Sequence, residues 1–275
     1  MEIHALYRQL LGHWPAANTR LNLSTREGKT FVIACGPKDA PPLVLLHGAG
    51  SVSAMWMSDA AAWSRDFRVY AVDMIGEPGL SAPSRPPLSS EAYALWLDDV
   101  MDGLGLARAD LVGVSLGGWL AIDYAVRRPG RVERLALLCP AGIGRQKHFV
   151  ARVGLFLLLG PWGVRKAREM VFGPPPRDLP PAARALAELM ALISRSFRPR
   201  MGKIPIFSDA ALRGLAMPVL AVVGGRDLTI DQFDTRRRLA HTAPNAVVRF
   251  LPEAGHHIPG QTAAILEFLR RPAGG

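Results

Sequence analysis

Gly113-Val114-Ser115-Leu116-Gly117-Gly118 joins an apolar run at 111–114 to a helical pattern that begins at Gly118. This is a G-x-S-x-G pattern. A serine held in so tight a turn between strand and helix sits in strained backbone, and the residues two places before and after it must be small to avoid collision. Both are glycine. Such a turn lifts the Ser115 hydroxyl above the end of a sheet and brings the first free N–H groups of the helix beside it, where negative charge is favoured. The pattern predicts acyl chemistry as well as shape, with Leu116 N–H as one donor to an oxyanion.

Other strand ends carry chemistry too. The apolar strand at 43–46 runs into His47-Gly48-Ala49-Gly50, where glycines let backbone amides approach a ligand closely. The apolar strand at 219–223 ends in Gly224-Gly225-Arg226-Asp227, and the strand at 246–251 is followed by Ala254-Gly255-His256-His257. Serine, aspartate and histidine thus follow one another in that order. With these motifs the chain resembles the α/β-hydrolase superfamily over nearly its whole length. Val72-Asp73-Met74-Ile75-Gly76-Glu77-Pro78-Gly79-Leu80-Ser81 is similar to that family's D-x-x-G-x-G-x-S loop after the fourth strand, with one extra residue between the glycines.

The resemblance implies an α/β-hydrolase fold: a mostly parallel central sheet flanked by helices, with an inserted helical cap. It implies Ser115 as nucleophile, His256 as general base and Asp227 as the acid that orients the imidazole. His256 is preferred to His257 because it directly follows Gly255; Asp231 and Asp234 are competitors of Asp227 that fall in the next helix. Ala49 N–H would be the second oxyanion donor, with Gly50 the fallback. His47 and Asp73 are read as residues that order their loops. Gly50, Met55 and Trp56 are the candidate substrate-binding residues, with Met57 beside them, although residues on a helix are more often core.

Strands are expected near 29–34, 43–46, 69–72, 111–114 and 135–138, separated by helical patterns. One helix is expected from Ser89-Ser90-Glu91 to about Leu104, with Ser90 as its cap and Tyr93, Trp96, Leu97 and Val100 on one face. Another is expected to run from Gly118 through Val126. Such alternation argues for a mostly parallel sheet covered on both faces. It breaks between Ala141 and about Ala210, a stretch too long for a structureless loop. The domain reading is therefore a hydrolase core at 1–140 and 211–275 with a helical cap at 141–210. Within that cap, residues 150–159 are strongly apolar yet too short for a bilayer, and a second helix is expected at 182–196.

The chain has 275 residues, 49% of them hydrophobic, which suits one enzyme domain with a large core. Its formal charge is +10, and nearly all of the excess lies between Gly144 and Pro205, where twelve Lys or Arg face three acids. No interleaved aromatic pattern accompanies that charge, so nucleic acid is not expected as a partner. A solvated helix face accounts for the charge, and steering of anionic or amphiphilic esters is the functional alternative. The first fourteen residues read as a short amphipathic helix, neither a secretory signal nor a membrane span. Stable membrane insertion is not expected. Cys35 and Cys139 suit buried free thiols; with no metal site, no cofactor and no disulfide framework expected, the location read from the sequence is cytoplasmic.

A serine at 115 argues against dehalogenases and epoxide hydrolases of similar fold, which use aspartate there. The expected activity is hydrolysis of small-molecule carboxylic esters. Cofactor-free perhydrolases, carbon–carbon bond hydrolases and acyltransferases keep the serine and stay open, as does a non-catalytic ligand receptor on the same fold.

Overall fold

Apolar residues in the central strands alternate between two hydrophobic layers, which requires a sheet covered on both faces. In β3 (Pro42–Leu46), Val44 and Leu46 enter one layer while Leu43 and Leu45 enter the other. In β7 (Val219–Gly224), Val219 and Ala221 likewise oppose Leu220 and Val222. The computed structural model describes residues 2–147, 159–160, 162–163, 166, 169, 179–200 and 202–271.

The sheet is completed by β1 (Asn18–Thr25), β2 (Gly28–Cys35), β4 (Arg68–Val72), β5 (Ala109–Val114), β6 (Val132–Leu138) and β8 (Ala246–Leu251). The eight strands lie in the order β1-β2-β4-β3-β5-β6-β7-β8. β2 pairs antiparallel with both β1 and β4, and every later pairing is parallel. Parallel strands put their C-terminal ends, and the loops that leave them, on one edge of the sheet. The motif-bearing ends of β3, β5, β7 and β8 therefore meet there.

One layer is closed by α3 (Ala92–Gly103), α4 (Leu116–Arg127) and α7 (Gln232–Thr242), through Trp96, Leu97, Leu120 and Leu239. The other is closed by α1 (Glu2–Leu10), α2 (Met57–Trp63) and α8 (Thr262–Arg270), through Tyr7, Leu10, Trp63, Ile265 and Phe268. The predicted strands and the N-terminal helix appear within a few residues of their expected bounds. β1 was not anticipated: its alternation rests on Leu21 and Leu23 alone, among polar neighbours.

Between β6 and β7 the described helices are α5 (Pro181–Ser196) and the short α6 (Asp209–Arg213). α5 matches the second helix expected in this stretch. It buries Leu189 and Ile193 in the same layer as α1. The apolar run at 150–159 lies outside the described residues except for Leu159, which is exposed. Among the described residues no helix is long and apolar enough to cross a membrane.

Candidate active site

Ser115 occupies the junction of β5 and α4 with φ 51°, in the left-handed region where a residue with a Cβ is strained. Its N–H donates to Leu138 O of β6 at 3.0 Å, and its carbonyl accepts from Trp119 N and Ala141 N. The flanking glycines are forced by close approach. A Cβ on Gly113 would strike Gly117 O, and one on Gly117 would strike the carbonyl oxygens of Leu46 and His47. This last contact seats the turn against the end of β3. A Cβ on Gly48 would lie 3.8 Å from that of Ser115, so the His47–Gly50 backbone passes beside the serine.

His256, in the loop after β8, stands between Ser115 and Asp227, with its Nδ1 also 2.9 Å from Thr229 Oγ1. Its Nε2 lies 3.0 Å from Ser115 Oγ and its Nδ1 lies 2.7 Å from Asp227 Oδ2, in the loop after β7. The proton positions follow from the donors around Asp227. Its Oδ1 accepts from Thr229 N, Thr229 Oγ1 and Ile230 N, and Oδ2 accepts from Gln232 Nε2 as well as the imidazole. A carboxylate is acceptor only, so Nδ1 carries the proton and Nε2 is left to accept from the serine hydroxyl. Burial opposes the charge on Asp227, but the hydrogen bond and attraction from His256, with Gln232 and Thr229, outweigh it and hold the carboxyl far below the usual range. Asp227 therefore stays ionised.

His257 is exposed, and no hydrogen bond links it to Ser115. Asp231 is the cap of α7, accepting from Asp234 N, and Asp234 pairs with Arg145 and Arg237. Neither competes with Asp227. His47 is buried, its Nδ1 donating to Gly48 O at 2.8 Å and its Nε2 accepting from Met74 N at 3.0 Å. Burial pushes the His47 imidazole down against the field of Asp73, which suits this neutral form. Asp73 accepts from Ser53 N, Tyr7 OH and Leu80 N, tying its own loop to α1 and to the turn before α2.

The substrate-binding candidates separate. Met55 is half-buried, with its sulfur 3.5 Å from Ser51 Oγ, which also reaches Met190 Sδ of α5 at 3.9 Å. Trp56 instead packs into the core with its ring centroid 5.9 Å from that of Trp63. Gly50 gives its N–H to Glu77 Oε2 at 2.6 Å. Ala49 is exposed beside it, and Leu116 begins α4.

Thr229, Gln232 and Glu77 escaped sequence reasoning. Asp227-x-Thr229 has the spacing of a turn in which an aspartate oxygen takes the N–H two residues on, a signal that was present. The segment leaving β6 was also missed. Gln146 bridges Ile230, Lys147 N donates to Thr229 O, Asp231 N donates to Arg145 O, and Lys147 Nζ donates to Asp227 O at 2.7 Å. The ligand atoms of Cys139, Asp227 and His256 lie within 4.8 Å of one another. Asp227 is already occupied by its donors, and burial with the charge of Asp227 pushes the Cys139 thiol well up, so this trio is a poor metal cradle.

A parallel sheet crossed by a strained serine turn, with an imidazole and a carboxylate at successive strand ends, defines a hydrolase architecture. The chain belongs to the alpha/beta hydrolase family, whose pattern it matches over residues 43–268. It is 35% identical over 262 residues to carboxylesterase YbfK of Bacillus subtilis (strain 168), covering 93% of this chain and 88% of that one. The crystal structure of carboxylesterase CesB (YbfK) from Bacillus subtilis superposes with a TM-score of 0.82 at 34% identity, over 98% of this chain and 97% of that one. Naproxen esterase (carboxylesterase NP) from Bacillus subtilis gives 0.81 at 33% identity, over 96% and 94%.

Proposed function

We propose that this protein hydrolyses small-molecule carboxylic esters through an acyl-enzyme formed on Ser115. Carboxylesterase relatives about a third identical over most of the chain support ester hydrolysis. The observation that carries the mechanism is the bridge made by His256, 3.0 Å from the serine hydroxyl and 2.7 Å from the buried carboxylate.

Ser115 Oγ attacks the ester carbonyl carbon as His256 Nε2 takes its proton, and Asp227 stabilises the imidazolium that results. The carbonyl oxygen becomes an oxyanion received by Leu116 N–H and Ala49 N–H, donors that each contribute about 3 kcal/mol in sites of this kind. As the tetrahedral intermediate collapses, His256 returns the proton to the leaving alcohol. Water, deprotonated by the same imidazole, then attacks the acyl-serine, and a second collapse frees the acid and restores the hydroxyl. We read residues 141–210 as a cap over the acyl pocket, supported by the contact between Met190 of α5 and Ser51. A cytoplasmic setting is consistent with Cys35 and Cys139, both buried and free.

A fluorophosphonate probe is expected to label Ser115, and a short-chain nitrophenyl ester to turn over. Ser115→Ala is expected to abolish labelling and lower kcat by at least about 1,000-fold. A folded Ser115→Ala protein that kept its turnover would remove the serine from the mechanism.

A further inference from the structure

Ala49 stands between two peptide units, and each is tied by a separate hydrogen bond. The unit whose N–H belongs to Ala49 has its carbonyl, Gly48 O, held by His47 Nδ1, and His47 Nε2 is held in turn by Met74 N. The next unit has its N–H, that of Gly50, held by Glu77 Oε2 at 2.6 Å. Met74 and Glu77 both belong to the loop that follows β4. Gly50 has φ 63°, a conformation in which glycine brings little stiffness of its own, so a peptide beside it needs an external tie to stay in one orientation.

Glu77 is only 7% exposed, and a carboxylate is costly to bury. The charged groups acting on it are the guanidinium groups of Arg85 and Arg200, and Tyr93 is the other titratable neighbour. These neighbours are fixed in place. Arg85 donates to Gly76 O and Arg198 O, and Arg200 donates to Pro86 O and Tyr93 OH. Glu77 is also one of the two residues between Gly76 and Gly79, where the resembling loop has room for one. The longer loop thus supplies a buried acceptor for the Gly50 amide.

We propose that Glu77 is a positioning residue for oxyanion stabilisation: by holding the Gly50 amide it fixes the peptide beyond Ala49, aims the Ala49 N–H at the substrate oxygen and withdraws Gly50 N–H from competition. This rests on the reading of Ser115 as nucleophile. Arg85 and Arg200 offset the negative charge that the tie brings near the developing oxyanion.

The test compares Glu77→Ala, Glu77→Asp and Glu77→Gln on a nitrophenyl ester and on a trifluoromethyl ketone, whose serine adduct carries an oxyanion. Alanine has no acceptor and aspartate is one methylene short, so both are expected to lower kcat about tenfold or more with KM within about twofold. Affinity for the ketone is expected to fall by a similar factor. Glutamine keeps an acceptor oxygen at the right reach and is expected to stay within about threefold of the parent kcat. The proposal is overturned if folded Glu77→Asp keeps its kcat, if KM alone changes, or if ketone affinity is unmoved. Should the alanine variant fail to fold, the aspartate and glutamine variants decide it. Full activity in Ser115→Ala would sink the serine reading itself, whereas activity lost there but kept in Glu77→Asp would sink the role of Glu77 alone.

Discussion

Asp227 keeps its charge where burial opposes it, because donors from Thr229, Ile230, Gln232 and His256 surround both oxygens. Thr229→Val removes one of three donors to Oδ1 and leaves the two backbone N–H groups, a loss of about 1–2 kcal/mol for a hydrogen bond to a charged group. Its kcat on a nitrophenyl ester is expected to fall about tenfold, with Thr229→Ser recovering most of it. Glu77 supplies a pH test. Burial, opposed by the Gly50 hydrogen bond and by Arg85 and Arg200, pushes its carboxyl up from 4.5 to about 7. A proton held more tightly in the folded state stabilises fully below pH 4.5, and that contribution is lost as pH rises through about 7. Glu77→Gln cannot ionise, so its urea stability relative to the parent is expected to rise across that window by up to about 3 kcal/mol. Ser115, Asp227 and His256 stand out in the sequence as candidates because each lies within two residues of a glycine that follows an apolar run. Glu77 does not, since its partner Gly50 is chosen only when separate loops meet, whereas Thr229 and Gln232 reach Asp227 within one segment.

α1 is more than a cover for the sheet. Tyr7 is fully buried, its hydroxyl donating to Asp73 and paired with Ser53 Oγ at 2.8 Å, so the helix is bolted to the loop that carries Glu77. Burial and then the charge of Asp73 push the phenol well above its ordinary range, so it remains a donor. Tyr7→Phe is expected to cost about 1–2 kcal/mol, read as a lower urea midpoint with an unchanged slope. Parallel strands were easy to read because both of their faces are apolar. β1 at the sheet edge was missed because its pattern is half polar, and only pairing with β2 defines it. The start of α3 was also displaced. Ser90 Oγ lies 3.4 Å from Ala92 N but donates to Pro87 O, and Glu91 rather than Ser90 is the residue preceding the helix. A serine that bonds back to its own turn competes with its role as a cap.

At the scale of the molecule, the strand order could not be read from any one segment, yet alternating strands and helices already required a parallel sheet. The stretch between β6 and β7 shows in the sequence as a gap in that alternation, not as a shape. On the alternative reading, in which its basic excess steers anionic esters, kcat/KM for an anionic ester falls several-fold as salt is raised through the range that shortens screening to about 10 Å, while a neutral ester stays level. Equal salt responses for the two esters would assign the charge to solvation alone. The residues just after β6 add a constraint of another kind. Arg145, Gln146 and Lys147 are stitched by backbone hydrogen bonds to the loop that bears Asp227, and the Lys147 ammonium grips the Asp227 carbonyl. Anyone exchanging the inserted stretch for a cousin's to alter selectivity would also be retuning the acid, unless the graft begins beyond that seam.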